Sequence, residues 1–353
     1  MPVAEQVDGR GGLKAIVRSR GARVLIGWLV IALLTVEAVL LAPHLGGAGA
    51  ALAHVNWTLV VLAIIAEAGS LVAFAAMHRQ MLRGGGLRVP LRRIAAVLLA
   101  GNALSATLPA GSALASGYGF TRMRRFGASA PLAAWTVVIT GLVSGATLAG
   151  LGLAAALLVG AGSKGSIAGL VAAGSALTMA IGMRVAAQHP ERVSALGQRL
   201  LRGVNRLRGR EHSAGGQRVR AFVAQLVVIR PRAADWLAAV GFAALNWAAD
   251  VTCLVLACHA AGISDLSPRT VLVAYAADAA AGLFQLLPGG IGIVDGALIL
   301  ALVSGGVPTE SATAGVAVYR LITLVLVAAA GWLMWFVLRS RDPAVSATAG
   351  RRG

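Results

Sequence analysis

Five acidic residues and one arginine stand inside long apolar stretches of this chain: Glu37, Glu67, Asp250, Asp278, Asp295 and Arg320. An ionised side chain at the centre of a bilayer costs at least about 2.5–3.5 kcal/mol, so such residues are kept where they face one another or a wet cavity. Arg320 follows Tyr319, and a guanidinium can hold a phosphate through two parallel hydrogen bonds. Its other reading is an ion pair with Asp295 or Asp278. Asp295 lies just past Pro288-Gly289-Gly290, where a carboxylate can organise the backbone of a break or carry a proton. Glu67 and Asn246 occupy matching places, each one helix ahead of a Pro/Gly break, which favours a cavity role over plain helix–helix hydrogen bonding. Glu37 falls outside the repeated unit and reads as a packing or snorkelling residue.

Other chemistries fail on spacing. The histidines (His44, His54, His78, His189, His212, His259) are scattered, and none shows the His-Glu-x-x-His pattern of a metal site. Ser116-Gly117-Tyr118-Gly119 lacks the flanking Gly-x-Ser-x-Gly elbow of a nucleophile. The run Gly290 to Asp295 lacks the third glycine of a dinucleotide fingerprint and follows no βα unit. Cys253 and Cys258 make neither a disulfide framework nor a metal quartet and read as small packing residues. The expectation is no catalytic residue, no metal and no cofactor; the chain is not read as an enzyme.

The elements that must position these charges are membrane helices. Only 12% of the residues are charged and 58% are hydrophobic, whereas a soluble domain carries about a quarter charged residues. Apolar runs recur at 24–42, 57–78, 94–112, 131–158, 166–183, 236–260, 271–288, 291–307 and 316–338, several of them long enough to cross roughly 30 Å of hydrocarbon. The basic start before Val24 resembles a signal peptide, but the run to Ala42 is too long for one and predicts a retained helix. The fold class is an all-α polytopic membrane protein. The formal charge of +18 invites a nucleic-acid reading, but the basic residues sit in a few polar loops, where they set orientation and attract anionic lipid.

Positive-inside counting orients the chain. The N-terminal stretch 1–23 holds five Lys/Arg and the loop 43–56 none, which places the N-terminus in the cytoplasm. Arg79, Arg83, Arg88, Arg92 and Arg93 precede the run 94–112, and Arg122, Arg124 and Arg125 follow it. A single crossing would export one of these clusters. A re-entrant hairpin entering from the cytoplasm avoids that, with Asn102, Pro109 and Gly111 supplying its break. The loop 184–235 contains eleven arginines and is cytoplasmic, with an amphipathic stretch suited to an anionic leaflet. The runs 271–288 and 291–307 meet at Leu287-Pro288-Gly289-Gly290, between Asp265 and Glu310, and form a second hairpin dipping in from outside. The membrane domain is therefore 24–338, with a cytoplasmic tail at 339–353, and 28 of the 31 Lys/Arg are cytoplasmic.

The two breaks, Leu108-Pro109-Ala110-Gly111 and Leu287-Pro288-Gly289-Gly290, are 179 residues apart, and the same offset pairs Trp57 with Trp236. Repeat halves at about 57–158 and 236–338, joined by helix 166–183 and the arginine-rich loop, read as an inverted-topology repeat. In transporters of that kind, short Gly/Pro-interrupted segments at matching positions mark the binding site.

At these residues the sequence resembles a known family. The stretch Leu287 to Arg320, with its Pro-Gly-Gly break, Asp295, and Tyr319-Arg320-Leu321, is similar to the C-terminal signature of the flippase-like lysylphosphatidylglycerol synthase transmembrane family. Gly101 to Arg125, with Asn102, Leu108-Pro109 and its basic exit, resembles the other motif. Many members carry a Glu-Arg pair in the helix after the first break; here Thr140 and Gly141 stand there, so half of a symmetric charge arrangement is missing. No soluble aminoacyl-transferase domain follows. The resemblance implies the lipid-translocating part alone, in the inner (cytoplasmic) membrane, moving a polar phospholipid or a polyprenyl-phosphate-linked lipid. The competing readings are a small-solute secondary transporter, or a non-transporting partner of a lipid-modifying enzyme. Expected partners are a membrane lipid substrate, anionic lipid at the arginine-rich loop, and a lipid-modifying enzyme or a second copy of the chain.

Overall fold

The computed structural model describes residues 55–108, 110–158, 229, 231–282, 288–290 and 292–340. The expected helices 24–42 and 166–183, nearly all of the arginine-rich loop, the tail beyond Ser340, Glu37 and Pro109 lie outside the described residues.

Every described element is helical. In chain order they are α1 (Trp57–Gly84), α2 (Leu91–Thr107), α3 (Gly111–Arg125), α4 (Ala130–Leu158), α5 (Ala233–Ala260), α6 (Pro268–Gly282), a 3-10 turn (Pro288–Gly290), α7 (Ile293–Ser304) and α8 (Thr309–Ser340). Among the described residues α1, α4, α5 and α8 are long and apolar enough to span a bilayer. The order long helix, short helix, break, short helix, long helix occurs twice.

Local chemistry sets the ends. Asn56 caps α1 by accepting from the Thr58 and Leu59 N–H groups at 3.1 and 3.4 Å. Ser129 accepts from Leu132 N at 3.3 Å, and Ser267 from Thr270 N at 3.1 Å. Pro268 takes the first position of α6, where its missing N–H costs nothing. The connections turn through left-handed residues at corresponding places: Gly86 (φ 89°) and Gly262 (φ 87°) after the first long helices, Gly127 (φ 98°) and Gly306 (φ 94°) before the last.

The breaks correspond too. Ala110 (φ 54°) and Gly289 (φ 67°) are both left-handed. Gly289 adopts that conformation freely, whereas alanine gives up about 1–2 kcal/mol to do so. Gly111 opens α3 so tightly against the end of α2 that a Cβ would overlap the Leu104 and Ser105 backbone. The break differs in one respect from expectation: Asn102 is helical and half-buried within α2, which runs unbroken to Thr107. An amide inside a continuous apolar run does not outweigh helical hydrogen bonding; the chain leaves the helix only at Leu108, ahead of proline.

The two short-helix pairs, α2 with α3 and α6 with α7, each pack together, and α1 packs along α5. That contact is antiparallel over its whole length. The Asn56 N–H donates to Ala260 O at 3.0 Å, Ser70 meets Asn246, and Gln80 Nε2 donates to Asp235 Oδ1 at 2.8 Å. Buried alanines on both helices (Ala63, Ala239, Ala243, Ala257) allow the close approach. The α2–α8 contact is as tight: Gly331 abuts the Leu99 backbone so closely that a Cβ would overlap its carbonyl. The last helix begins earlier than its apolar run, at Thr309, because the polar first turn after Pro308 is helical. It passes through a π-helical stretch at Leu321–Leu326 before resuming α geometry.

Candidate functional site

Arg320 lies in α8 at the last α-helical residue before the π stretch, and its side chain reaches the second break. Its Nε donates to Asp295 Oδ1 at 2.5 Å and its Nη2 to the Gly289 carbonyl at 2.6 Å. Both partners are largely buried, with side chains 12% and 15% exposed. The other Asp295 oxygen, Oδ2, accepts from the Gly292 N–H at 2.9 Å. Asp295 sits in the first turn of α7, so it also faces the positive end of that helix. One carboxylate thus ties the α7 start to α8, and one guanidinium ties α8 to the break. Of the two partners expected for Arg320, Asp295 is the bonded one. Asp278 stands within electrostatic reach of both Arg320 and Asp295.

A second cluster lies beside it. Asp250 of α5 accepts from Tyr275 Oη at 2.7 Å and from Tyr319 Oη at 3.0 Å, one phenol on each oxygen. Tyr319 precedes Arg320 in the chain, so adjacent residues of α8 serve adjacent clusters. Glu67 of α1 is 8% exposed, and its Oε2 has no hydrogen-bond partner among the described residues. The charge of Asp250 acts on it. One turn along the same contact Asn246 meets Ser70: with its amide nitrogen turned toward Ser70, it donates to the Ser70 carbonyl at 3.1 Å and accepts from Trp247 N at 3.2 Å. Glu67, Asp250, Asp278, Tyr319, Asp295 and Arg320 therefore form one connected region. Asn246 borders it through Ser70, whereas Asn102 belongs to the body of α2.

Several of these partners were not visible in the residue pattern. Asp250 stood out as a charge in an apolar run, but nothing in its spacing pointed to Tyr275 or Tyr319. Nor did the spacing of His78 and Thr140 point to their pairing; they bond at 3.0 Å between α1 and α4, both buried. The π stretch after Arg320 has no sequence signal, although such irregularities cluster at functional sites. Among the described residues no group of three or more His, Cys, Asp and Glu is arranged to hold a metal ion. Cys253 and Cys258 are free and buried.

A cavity of about 550 Å³ opens between α3 and the end of α8. Its walls are Ala113, Leu114 and Gly117 at one end and Arg122, Arg125 and Arg339 at the other, with Tyr118 and Trp335 between. The Arg339 guanidinium stacks over Trp335 at 4.8 Å, and that of Arg122 over Tyr118 at 5.2 Å.

Spanning helices that flank two broken helix pairs, with ion-paired and carboxylate-rich clusters buried among them, define a multi-pass membrane protein. The chain matches the family described as the lysylphosphatidylglycerol synthase TM region over residues 22–331. It belongs to that family, a membrane domain related to lipid handling. No curated protein matches the chain.

Proposed function

We propose that the chain is a flippase-like translocator, which moves a phosphate-bearing polar lipid between leaflets while its tails stay in the bilayer. The observation that carries this reading is the antiparallel packing of α1 against α5. These are the first helices of two segments with the same element order, so their opposite directions are what two inverted halves require. On that reading the pairs α2–α3 and α6–α7 are re-entrant hairpins approaching from opposite faces. The N- and C-termini lie in the cytoplasm, and the membrane is the inner one. The arginine distribution and the family support this arrangement.

Arg320 fits the head group best. It is a buried, bidentate cation at the second break, and a lipid phosphate can compete for it with Asp295 and the Gly289 carbonyl. The cavity between α3 and α8 has the polarity of a lipid, small and apolar at one end and cationic at the other, which suits loading from the cytoplasmic leaflet. The arginine-rich loop would hold anionic lipid.

The test uses purified full-length protein in liposomes containing fluorescently tail-labelled phosphatidylglycerol, with a membrane-impermeant quencher reporting each leaflet. Wild type is expected to speed exchange at least tenfold over empty liposomes, and Arg320→Gln to remove most of that gain while the protein stays folded. Exchange at the empty-liposome rate across a panel of anionic and aminoacylated lipids, with saturable uptake of a water-soluble solute instead, would move the assignment to a solute transporter.

A further inference from the structure

We propose that Glu67 is a proton-binding site, with Asp250 as its charged neighbour, and that it takes up and releases one proton in each transport cycle. The inference rests on the translocator reading for its role in transport, but not for the binding of the proton.

Most hydrogen-bond donors in this region are already committed. Asp250 receives both phenols, one on each oxygen, and Asp295 receives Arg320 and the Gly292 N–H. Glu67 is as buried as any of them, and its Oε2 receives nothing. A buried carboxylate without a donor is the costliest arrangement available to it. A second carboxylate whose field reaches it adds to that cost. Of the two acids, the one with two hydroxyl donors keeps the charge, and the one whose Oε2 has no donor among the described residues holds the proton.

The groups facing Glu67 are consistent with this division. Cys253 and Asp250 approach it from α5, Tyr275 from α6 and, through Asp250, Tyr319 from α8. None of these is a cation. The charge of Asp250 also acts on Asp278, and the nearby Arg320 is bonded to Asp295.

Polar groups also lead away from the site along α1. Ser70 with Asn246 lies one turn on, and His78 with Thr140 three turns on, on nearly the same face of the helix. Gln80 with Asp235 follows near the basic end of α1, where Arg79 and Arg83 stand. Release breaks the Glu67 O–H bond heterolytically. The electron pair stays on the carboxylate and the proton passes to water on whichever face is open.

The first measurement is infrared difference spectroscopy of the full-length protein in lipid nanodiscs, titrated with pH and without any transported lipid. Wild type should show the carbonyl stretch of a buried carboxylic acid that disappears as pH rises. Glu67→Gln should lack it, Glu67→Asp should restore a shifted band, and Glu310→Gln at an exposed acid should leave it intact. A wild type with no such band, or a Glu67→Gln protein that keeps the whole of it, overturns the proposal.

The second measurement imposes a gradient on the liposomes with labelled phosphatidylglycerol. One pH unit should shift the leaflet distribution by up to about tenfold for one coupled proton, and Glu67→Gln should abolish that response. Movement that ignores pH, or follows a sodium gradient instead, overturns the coupling. If no lipid moves under any gradient, the translocator reading fails, and the infrared titration still decides whether Glu67 binds a proton.

Discussion

The two halves share a backbone plan but not a charge plan. At the second break Arg320 binds Asp295 and the Gly289 carbonyl. At the same offset in the first half stand Gly141, Ser116 and Ala110, and beside Gly141 is Thr140 where the second half has Tyr319. Thr140 bonds to His78, a buried hydroxyl–imidazole pair in place of a network of acids and phenols. Yet the left-handed residues at 110 and 289, at 127 and 306, and at 86 and 262 recur as though one design had been copied. The left-handed turns thus recur in both segments, while the one ion pair among the described residues, Arg320 with Asp295, stands in the second.

The packing differs as well. The end of α8 is closed against α2 at Gly331, whereas the corresponding contact between α4 and α6 is slight. An inverted repeat that alternates would show this difference in either of its end states, one broken pair shut against its long helix and the other withdrawn from it.

The sharpest way to break the comparison is to remove the charge unique to the second half. Arg320→Ala leaves Asp295 buried without its partner and should cost about 3–5 kcal/mol. This would be read as a large loss of thermal stability in detergent; Arg320→Ala with Asp295→Ala should recover part of it. A cost below 1 kcal/mol would show that the ion pair does not hold the break to α8. Next in size is the hydroxyl–imidazole pair of the first half. Thr140→Val keeps the shape and leaves His78 Nε2 without its partner while Nδ1 keeps the Phe74 carbonyl, with an expected cost of about 1–3 kcal/mol, measured the same way. The smallest effects should come at the breaks themselves and have opposite signs. Ala110→Gly relieves a left-handed alanine and should stabilise by about 1 kcal/mol, while Gly289→Ala should lose about as much. Equal signs would mean that the two turns are not equivalent.

How much of this was legible in the sequence differs by level. Helix existence was legible from apolar run length, and α1, α4, α5 and α8 lie where the runs are. The breaks were legible because proline and glycine punctuate locally, although Asn102 did not break its helix. The start of α8 was missed because Thr309–Gly315 is helical without being apolar, and hydropathy detects only the latter. Arg320, Asp295 and Tyr319 were legible as charges and a phenol in the wrong solvent, and also through family likeness. Asp295 was one of two partners expected for Arg320, but the partners of Tyr319 and Asp250 were not legible. Asp250 and Tyr319 are far apart in the chain, and one sequence holds no record of which helices touch. Tyr275 gave no signal because a tyrosine in an apolar run is ordinary. The unpartnered oxygen of Glu67 is a property of its neighbours and so appears only in the fold.

Translocation by two inverted halves requires the two broken helix pairs to face opposite sides of the membrane. Ser129 follows α3 and Ser304 ends α7, and both are exposed. Single cysteines at these positions, probed with an impermeant thiol reagent in right-side-out and inside-out vesicles, test the claim directly. Ser304→Cys should label only from outside the cell and Ser129→Cys only from the cytoplasmic face. Labelling of both from one and the same face would contradict the account.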